Sequence, residues 1–552
     1  MTPSDARPTH GLLARLFAWI DGTILSLGRE MRVEFLPPLM VYVAAGVSGL
    51  TGVAATFFIK EYLGLSAQFL AALGFWLVLP WALKMPVGHV VDLMWKWKGI
   101  LVFIGAGVIA ASLLIMIGLV SSIDAMKAIL PVETWYVLAA LLAPIGYVIQ
   151  DVVADAMTVE AVPRVDDDGR PTDEALRRSM HTTMQMLGRV AIIGGGVLVS
   201  VVNVVIFNDA AKLPETEKMA LYRFVYELAL IIPFVSVAGV VLSLWLLRRR
   251  AAALRAKGFD ASAVEKLLDV HGERPPVNWW ILGGGLAFAG VSIAVGLSSL
   301  QYKEETIFVV SIAIIIFLMA KLVRELEPDA RQVLIGTAIL VFVFRAMPGS
   351  GVGTTWWYID ELGFDQAFLS KLSLVASLLT LLGLFLFRRL MAEKSIAYIV
   401  VFLTIAGTLL SLPTIGMYYG LHQWTAAMTG GVVDARMIAL IDTALESPLG
   451  QIAMVPMLAW IANSAPDRLK ATFFAVMASF TNLALSASNL GTKYMNQIFT
   501  VSREVKDRAS GAVKVAADYS QLGDLLAVVI TIGFIVPLTA VLLLRAFRVR
   551  SA

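Results

Sequence analysis

Asp151 and Asp155 stand four residues apart in Gln150-Asp151-Val152-Val153-Ala154-Asp155-Ala156-Met157-Thr158-Val159-Glu160, directly after the apolar run from Trp135 to Ile149. That spacing puts both carboxylates on one helix face. Two negative charges so close resist ionising together, so one holds its proton nearer neutral pH. Reversible proton carriage is the chemistry this suits. The competing reading is a charge cluster that only locks helices together. Glu160 joins the same acidic set, but at about 100° per residue it points away from Asp151 on a continuous helix. Asp442 and Glu446 repeat the four-residue spacing. They lie either within a span or at its outer boundary, since Asp434 and Arg436 come just before them.

Two arginines interrupt apolar stretches: Arg189 in Met186-Leu187-Gly188-Arg189-Val190 and Arg345 in Phe344-Arg345-Ala346-Met347-Pro348. An arginine cannot shed its charge, and its planar fork matches a carboxylate. Either they hold an anionic substrate, or they form internal ion pairs with Asp151 or Asp155. Pro348-Gly349-Ser350-Gly351-Val352-Gly353-Thr354-Thr355 lacks the Gly-Lys-Ser/Thr end of a phosphate loop. It predicts a helix broken where it lines a cavity. Trp356 and Trp357 follow, with Tyr358, and suit stacking on a flat heterocycle or a belt at a membrane surface.

Enzymatic chemistry finds no support. The chain has no cysteine, so thiolate metal sites, disulfides and a catalytic thiol are excluded. Its five histidines show no ligand spacing. No nucleophile–base pair or nucleotide loop is visible, so we expect no enzyme, no cofactor, no metal and no nucleic-acid partner.

The elements that must position these residues are membrane helices. Of 552 residues, 58% are hydrophobic and only 15% charged, against roughly 25% charged in a soluble protein. Mean hydropathy is +0.79. Apolar runs of membrane-crossing length predict fourteen spans, at 37–59, 66–84, 99–121, 133–154, 180–206, 224–247, 279–300, 305–323, 333–358, 367–390, 395–419, 438–462, 471–498 and 522–545. With the N-terminus inside, 29 Lys and Arg fall in inside segments and 13 outside. This bias places both termini in the cytoplasm. Residues 1–36 show no signal peptide and read as a cytoplasmic amphipathic helix, with Leu12, Leu13, Leu16, Phe17, Ile20 and Ile24 on one face.

Thr56-Phe57-Phe58-Ile59-Lys60-Glu61-Tyr62-Leu63-Gly64-Leu65 aligns with Thr355-Trp356-Trp357-Tyr358-Ile359-Asp360-Glu361-Leu362-Gly363-Phe364 at a constant offset of 299. Each copy ends one helix, turns at a Leu-Gly pair and starts another. Two six-helix halves in the same orientation are the parallel repeat of the major facilitator architecture. This gives an N-terminal half at 37–247, a cytoplasmic linker at 248–278 with a helical part at 261–269, two inserted helices at 279–332, and a C-terminal half at 333–552. The glycine runs 194–196 and 283–285 read as close helix packing.

Lys84-Met85-Pro86-Val87-Gly88-His89-Val90-Val91-Asp92 falls in the predicted loop after the second span. It resembles the gating motif of major facilitators: Lys84, Gly88 and Asp92 are its candidates, Gly88 for close approach and Asp92 for bonding a helix N-terminus. Several further blocks resemble the folate-biopterin transporter family, a branch of that superfamily. They are Val41-Tyr42 through Gly49-Leu50 to Phe57-Phe58-Ile59-Lys60, Leu79-Pro80-Trp81-Ala82-Leu83-Lys84, Asp151-Val152-Val153-Ala154-Asp155 with Glu160, and Glu361-Leu362-Gly363-Phe364. Gly450-Gln451-Ile452-Ala453-Met454-Val455-Pro456, Ala471-Thr472-Phe473-Phe474-Ala475 and Asn482-Leu483-Ala484 complete the set.

The resemblance implies an all-α polytopic membrane protein that transports folates and pterins with protons. The expected substrate contacts are Arg345, Arg189, Trp356, Trp357 and Gln451, and the expected coupling acids are Asp151, Asp155 and Glu160. The expected location is the inner membrane and the expected state a monomer in the lipid bilayer. Trp95-Lys96-Trp97-Lys98 departs from the family's arginine-rich stretch after the gating Asp. An arginine at 189 is similar instead to muropeptide permeases, which share the Asp-x-x-x-Asp-Ala block, so a muropeptide is the rival substrate. A scaffold or sensor that kept the fold without transport is the rival of another class.

Overall fold

The structure, a computed structural model, describes residues 21, 26–63, 65–163, 165–166, 170–268, 277–324, 327–387, 390, 394–450, 452, 470–506 and 513–551. Gln451 and the amphipathic residues 12–20 and 24 lie outside them. In chain order the long helices are α1 Val33–Leu63, α2 Ala67–Leu93, α3 Trp95–Ser121, α4 Val132–Ala161, α5 Glu174–Phe207 and α6 Glu215–Ala256. After a short linker helix, Ala261–Leu268, come α7 Trp279–Gly296 and α8 Lys303–Val323. Helix α9 is in two pieces, α9a Pro328–Arg345 and α9b Gly353–Asp360. Then follow α10 Gln366–Leu386, α11 Ile396–Tyr418, α12 Ala435–Glu446, α13 Lys470–Ile498 and α14 Leu522–Ala546. A two-stranded hairpin, β1 Val505–Lys506 and β2 Val513–Val515, joins α13 to α14.

Among the described residues, ten of these helices are long and apolar enough to cross a membrane: α1 to α7, α10, α11 and α14. Six helices start at polar side chains that accept the first free N–H groups. Ser66 caps α2, Asp173 α5, Asn278 α7, Asp365 α10, Ser395 α11 and Asp434 α12. On the linker, the Ala263 N–H and the Ser262 hydroxyl hold exposed Asp260 below the usual carboxylate range.

Helices in lipid gain nothing from hiding apolar surface from one another, so small residues decide where they touch. A Cβ on Gly46 of α1 would lie 2.2 Å from the Ile192 carbonyl oxygen of α5, and one on Gly195 would meet Gly46 in return. Of the two glycine runs, Gly195 and Gly285 are in tight contact, the latter against Pro86, whereas Gly194 and Gly283 face open space. Helix α5 meets α10 through Ser200, which lies 3.0 Å from Ser373 and 3.3 Å from Ser377. Helix α2 meets α13 through Asn489, whose amide donates to Gly74 O at 3.2 Å.

The segment expected as a loop after the second span is helical instead, Lys84–Leu93. Lys84, Pro86 and Gly88 read as loop punctuation, but Pro86 falls in the first helical turn, where its missing N–H is harmless. Met85 and Val91 are buried by the helices it packs against. The Leu-Gly turn of the repeat holds in its second copy: Gly363 has φ +64 between α9b and α10, a conformation that glycine adopts without steric cost.

Candidate functional site

Helix α4 runs to Ala161, so Asp151 lies ten residues, or about 15 Å, inside its end. Lys84, just past the bend at Leu83, reaches across from α2 and sits between the acidic pair. Its Nζ is 2.6 Å from Asp151 Oδ2 and 2.8 Å from Asp155 Oδ2. The other oxygen of Asp155 accepts from Tyr42 OH of α1 at 2.6 Å. Arg189 of α5 lies within electrostatic range of Asp151 and Tyr42. Four helices thus converge on two carboxylates and two cations. Glu160 is engaged elsewhere: it pairs with Lys98, whose Nζ also lies 4.2 Å from the centre of the Trp95 ring. The gating candidates differ in setting. Gly88 faces Val152 at a spacing that an alanine would also fit, 3.8 Å. His89, between Gly88 and Asp92, accepts from the Asn278 N–H at 2.9 Å and so ties this helix to the start of α7.

On α9 the glycine-rich stretch breaks the helix between Arg345 and Gly353. A break at membrane depth frees backbone groups that must find partners in protein, and one face of α13 supplies them. Gly349 N–H donates to Thr492 Oγ1 at 2.9 Å, Ser488 Oγ to Met347 O at 2.6 Å, and Asn496 Nδ2 to Ser350 O at 3.2 Å. Arg345 ends α9a at the lip of this break. Among the described residues no carboxylate pairs with it.

Asp442 and Glu446 lie on α12, about 10 and 16 Å past its first residue Ala435, Asp442 within the helix and Glu446 as its last residue. Asp442 Oδ1 is buried without a hydrogen-bond partner among the described residues. Beside it Tyr358 OH and Thr414 Oγ1 are 3.0 Å apart. Trp356 and Trp357 are 2% and 5% exposed. They are packed with Phe364, Met417 and Leu522 at the end of the bundle opposite the C-terminus.

That same end holds residues the sequence reading missed. Lys60 Nζ is 2.5 Å from Asp360 Oδ1, and Tyr519 OH donates to the other oxygen of Asp360. Arg503 donates to the carbonyls of Ile59 and Lys60. Burial, then the bond to Asp360, pushes the Tyr519 phenol up from its ordinary value, while burial pulls the Arg503 guanidinium down. One signal for this cluster was available, since Lys60 and Asp360 sit in the two copies of the repeat. Nothing in the spacing pointed to Arg503.

Residues 45–550 match the BT1 family. A folate-biopterin transporter of Synechocystis sp. is 25% identical over 460 residues, covering 83% of this chain and 74% of its own. A putative folate transporter 2 of Plasmodium berghei is 24% identical over 166 residues, which are 29% of this chain and 34% of that one. Among solved structures, a POT family transporter with a thioalcohol-conjugated peptide superposes with a TM-score of 0.55 at 13% identity, over 95% of this chain and 96% of the other. A nucleoside transporter, NupG, does so with a TM-score of 0.51 at 11% identity, over 92% and 99%. The fold is that of the major facilitators.

Proposed function

The chain belongs to the BT1 family, is a multi-pass membrane transporter of a small molecule and not an enzyme, and we propose that it carries folate- or pterin-like organic anions by proton-coupled alternating access. The observation that carries the anion is Arg345. It is a permanent charge at the lip of a broken helix, left without a counter-ion among the described residues, and an arginine fork suits a carboxylate. Folates carry carboxylates and pterins a flat ring. The ring stacks on Trp356 or Trp357 once the end of the bundle that buries them opens. Arg189 and Gln451 complete the proposed substrate set.

The coupled proton goes to Asp151 or Asp155. Lys84 is shared between them, so a proton on one leaves the ammonium paired with the other alone. That loosens the tie between α2 and α4, and α2 also holds α13 through Gly74 and Asn489. Protonation is thereby linked to the contact between the halves. In this reading Gly88 and Asp92 gate with Lys84, Glu160 steadies α4, and the protein works as an inner-membrane monomer of fourteen spans with both termini cytoplasmic.

Binding decides the substrate class. We expect folate and biopterin to raise the melting temperature of the purified protein, and Arg345→Ala to lose the folate shift. A shift from a muropeptide alone would transfer the protein to the muropeptide reading, favoured by the arginine at 189 with the Asp-x-x-x-Asp-Ala block. No shift from any of them leaves a scaffold or sensor as the better account.

A further inference from the structure

Between α13 and α14 the described residues form two arms, 499–506 and 513–521, that pair with each other over the helix ends. Ser502 N donates to Asp518 O at 3.0 Å and Asp518 N to Ser502 O at 2.9 Å, with β1 and β2 antiparallel beyond them. Arg503, next to this bridge, is 3% exposed. Its Nη1 donates to the carbonyls of Ile59, at 2.7 Å, and Lys60. These lie in the last turn of α1, where a helix runs out of its own donors. The guanidinium carbon is 5.2 Å from the centre of the Trp356 ring on α9b. Beneath it, Lys60 of α1 pairs with Asp360 of α9b, and Tyr519 from the return arm of the hairpin bonds the same carboxylate.

Helix α1 lies in the first half of the repeat, while α9b and the hairpin lie in the second. Every contact to α1 in this group therefore crosses between halves. An apolar seal lies alongside: Ala67, the first residue of α2, packs at 3% exposure in the cluster of Trp356, Trp357 and Phe364.

We infer that the two paired arms, residues 499–506 and 513–521, are a strap that holds this end of the transporter shut, fastened by Arg503 on the α1 carbonyls and by the Lys60–Asp360–Tyr519 group beneath it. Arg503 cannot be released by losing its proton under physiological conditions. The strap lets go only by moving. Nη2 of Arg503 is buried with no partner among the described residues, so the fastening falls short of a fully bonded arginine. A contact that must break once per cycle needs that moderation. The inference rests on the alternating-access reading, but its test needs no substrate, so failure of the strap and failure of the substrate assignment are distinguishable.

The absence of native cysteine makes the test direct. Ala67→Cys is placed alone in the full chain, and its labelling by a membrane-impermeant maleimide is timed in nanodiscs, where both faces are reachable. Trp97→Cys, at a site 65% exposed, serves as the reference in the same backgrounds. The strap predicts slow labelling at position 67. Adding Arg503→Ala should quicken it about tenfold, as expected for losing a hydrogen-bonded charge, with the reference unchanged and Arg503→Lys between. Lys60→Asp should also quicken it, and adding Asp360→Lys should restore slow labelling. An unchanged rate at position 67 in folded Arg503→Ala overturns the inference. If Arg503→Ala does not fold, the charge swap decides: an unchanged rate in Lys60→Asp, or no restoration in the swap, overturns it equally.

Discussion

Lys84 lies within 3 Å of two carboxylates that come from one face of α4, and that sharing determines the effect of removing it. Lys84→Ala leaves Asp151 and Asp155 facing each other without their cation. Breaking a buried ion group from one side costs about 3–5 kcal/mol. We expect a large fall in unfolding free energy in detergent, and a smaller one in Lys84→Ala with Asp151→Asn, where one negative charge is gone as well. Equal losses in both would mean that the ammonium is not what holds the pair. Among the described residues Arg345 has no such internal partner. Arg345→Ala should therefore leave the melting temperature of the free protein near wild type while weakening folate binding about 10- to 100-fold, the range of a charge-assisted bond. At this scale the sequence was half legible. The four-residue spacing of Asp151 and Asp155 is local and was readable, but Lys84 is 67 residues away and Tyr42 113. Only the fold brings them in, and it replaces two like charges in repulsion with a cation between them.

The break in α9 is the element on which the second half turns. Its existence was legible, because Pro348, Gly349, Gly351 and Gly353 cannot sustain a helix together. What holds it was not legible, since Ser488, Thr492 and Asn496 show only as polar residues four apart, one face of an otherwise ordinary helix. The structure makes that face the partner of the broken backbone. Thr492→Val, which keeps the shape and removes the acceptor for Gly349 N–H, should cost about 1 kcal/mol and slow transport. Thr492→Ser should behave as wild type in both unfolding and uptake. If Val and Ser behave alike, the hydroxyl is not what fixes the break. The segment Lys84–Leu93 shows the opposite difficulty. Its proline and glycine suggested a loop, yet the helix forms because Met85 and Val91 bury in two separate apolar clusters around it.

For the molecule as a whole, hydropathy was the strongest signal, and among the described residues ten helices are apolar and long enough to cross by composition alone. Helix α8 is not among those ten; it opens on Lys303, Glu304 and Glu305, and these glutamates meet Lys493 of α13 at 3.3 and 2.9 Å. A pairing of that kind lets charges lie at the end of a span. Fourteen spans put Lys303 on the outer side, so Lys303→Cys in intact cells should react with an impermeant maleimide added outside. Protection there, with reaction only after the membrane is opened, would leave fewer crossings. The expectation of two parallel halves rests only on the block repeated at an offset of 299. The hairpin strap was not legible, because its contacts join residues more than 440 apart in sequence.

The central claim, proton-coupled carriage of a folate- or pterin-like anion on Arg345, is tested most directly by uptake into proteoliposomes. Labelled folate and biopterin would be offered with and without an inward proton gradient, to wild type and Arg345→Ala. The account predicts saturable uptake that the gradient accelerates, with folate uptake lost in the mutant. Wild-type protein that moves neither compound, or moves folate equally well without Arg345, contradicts it.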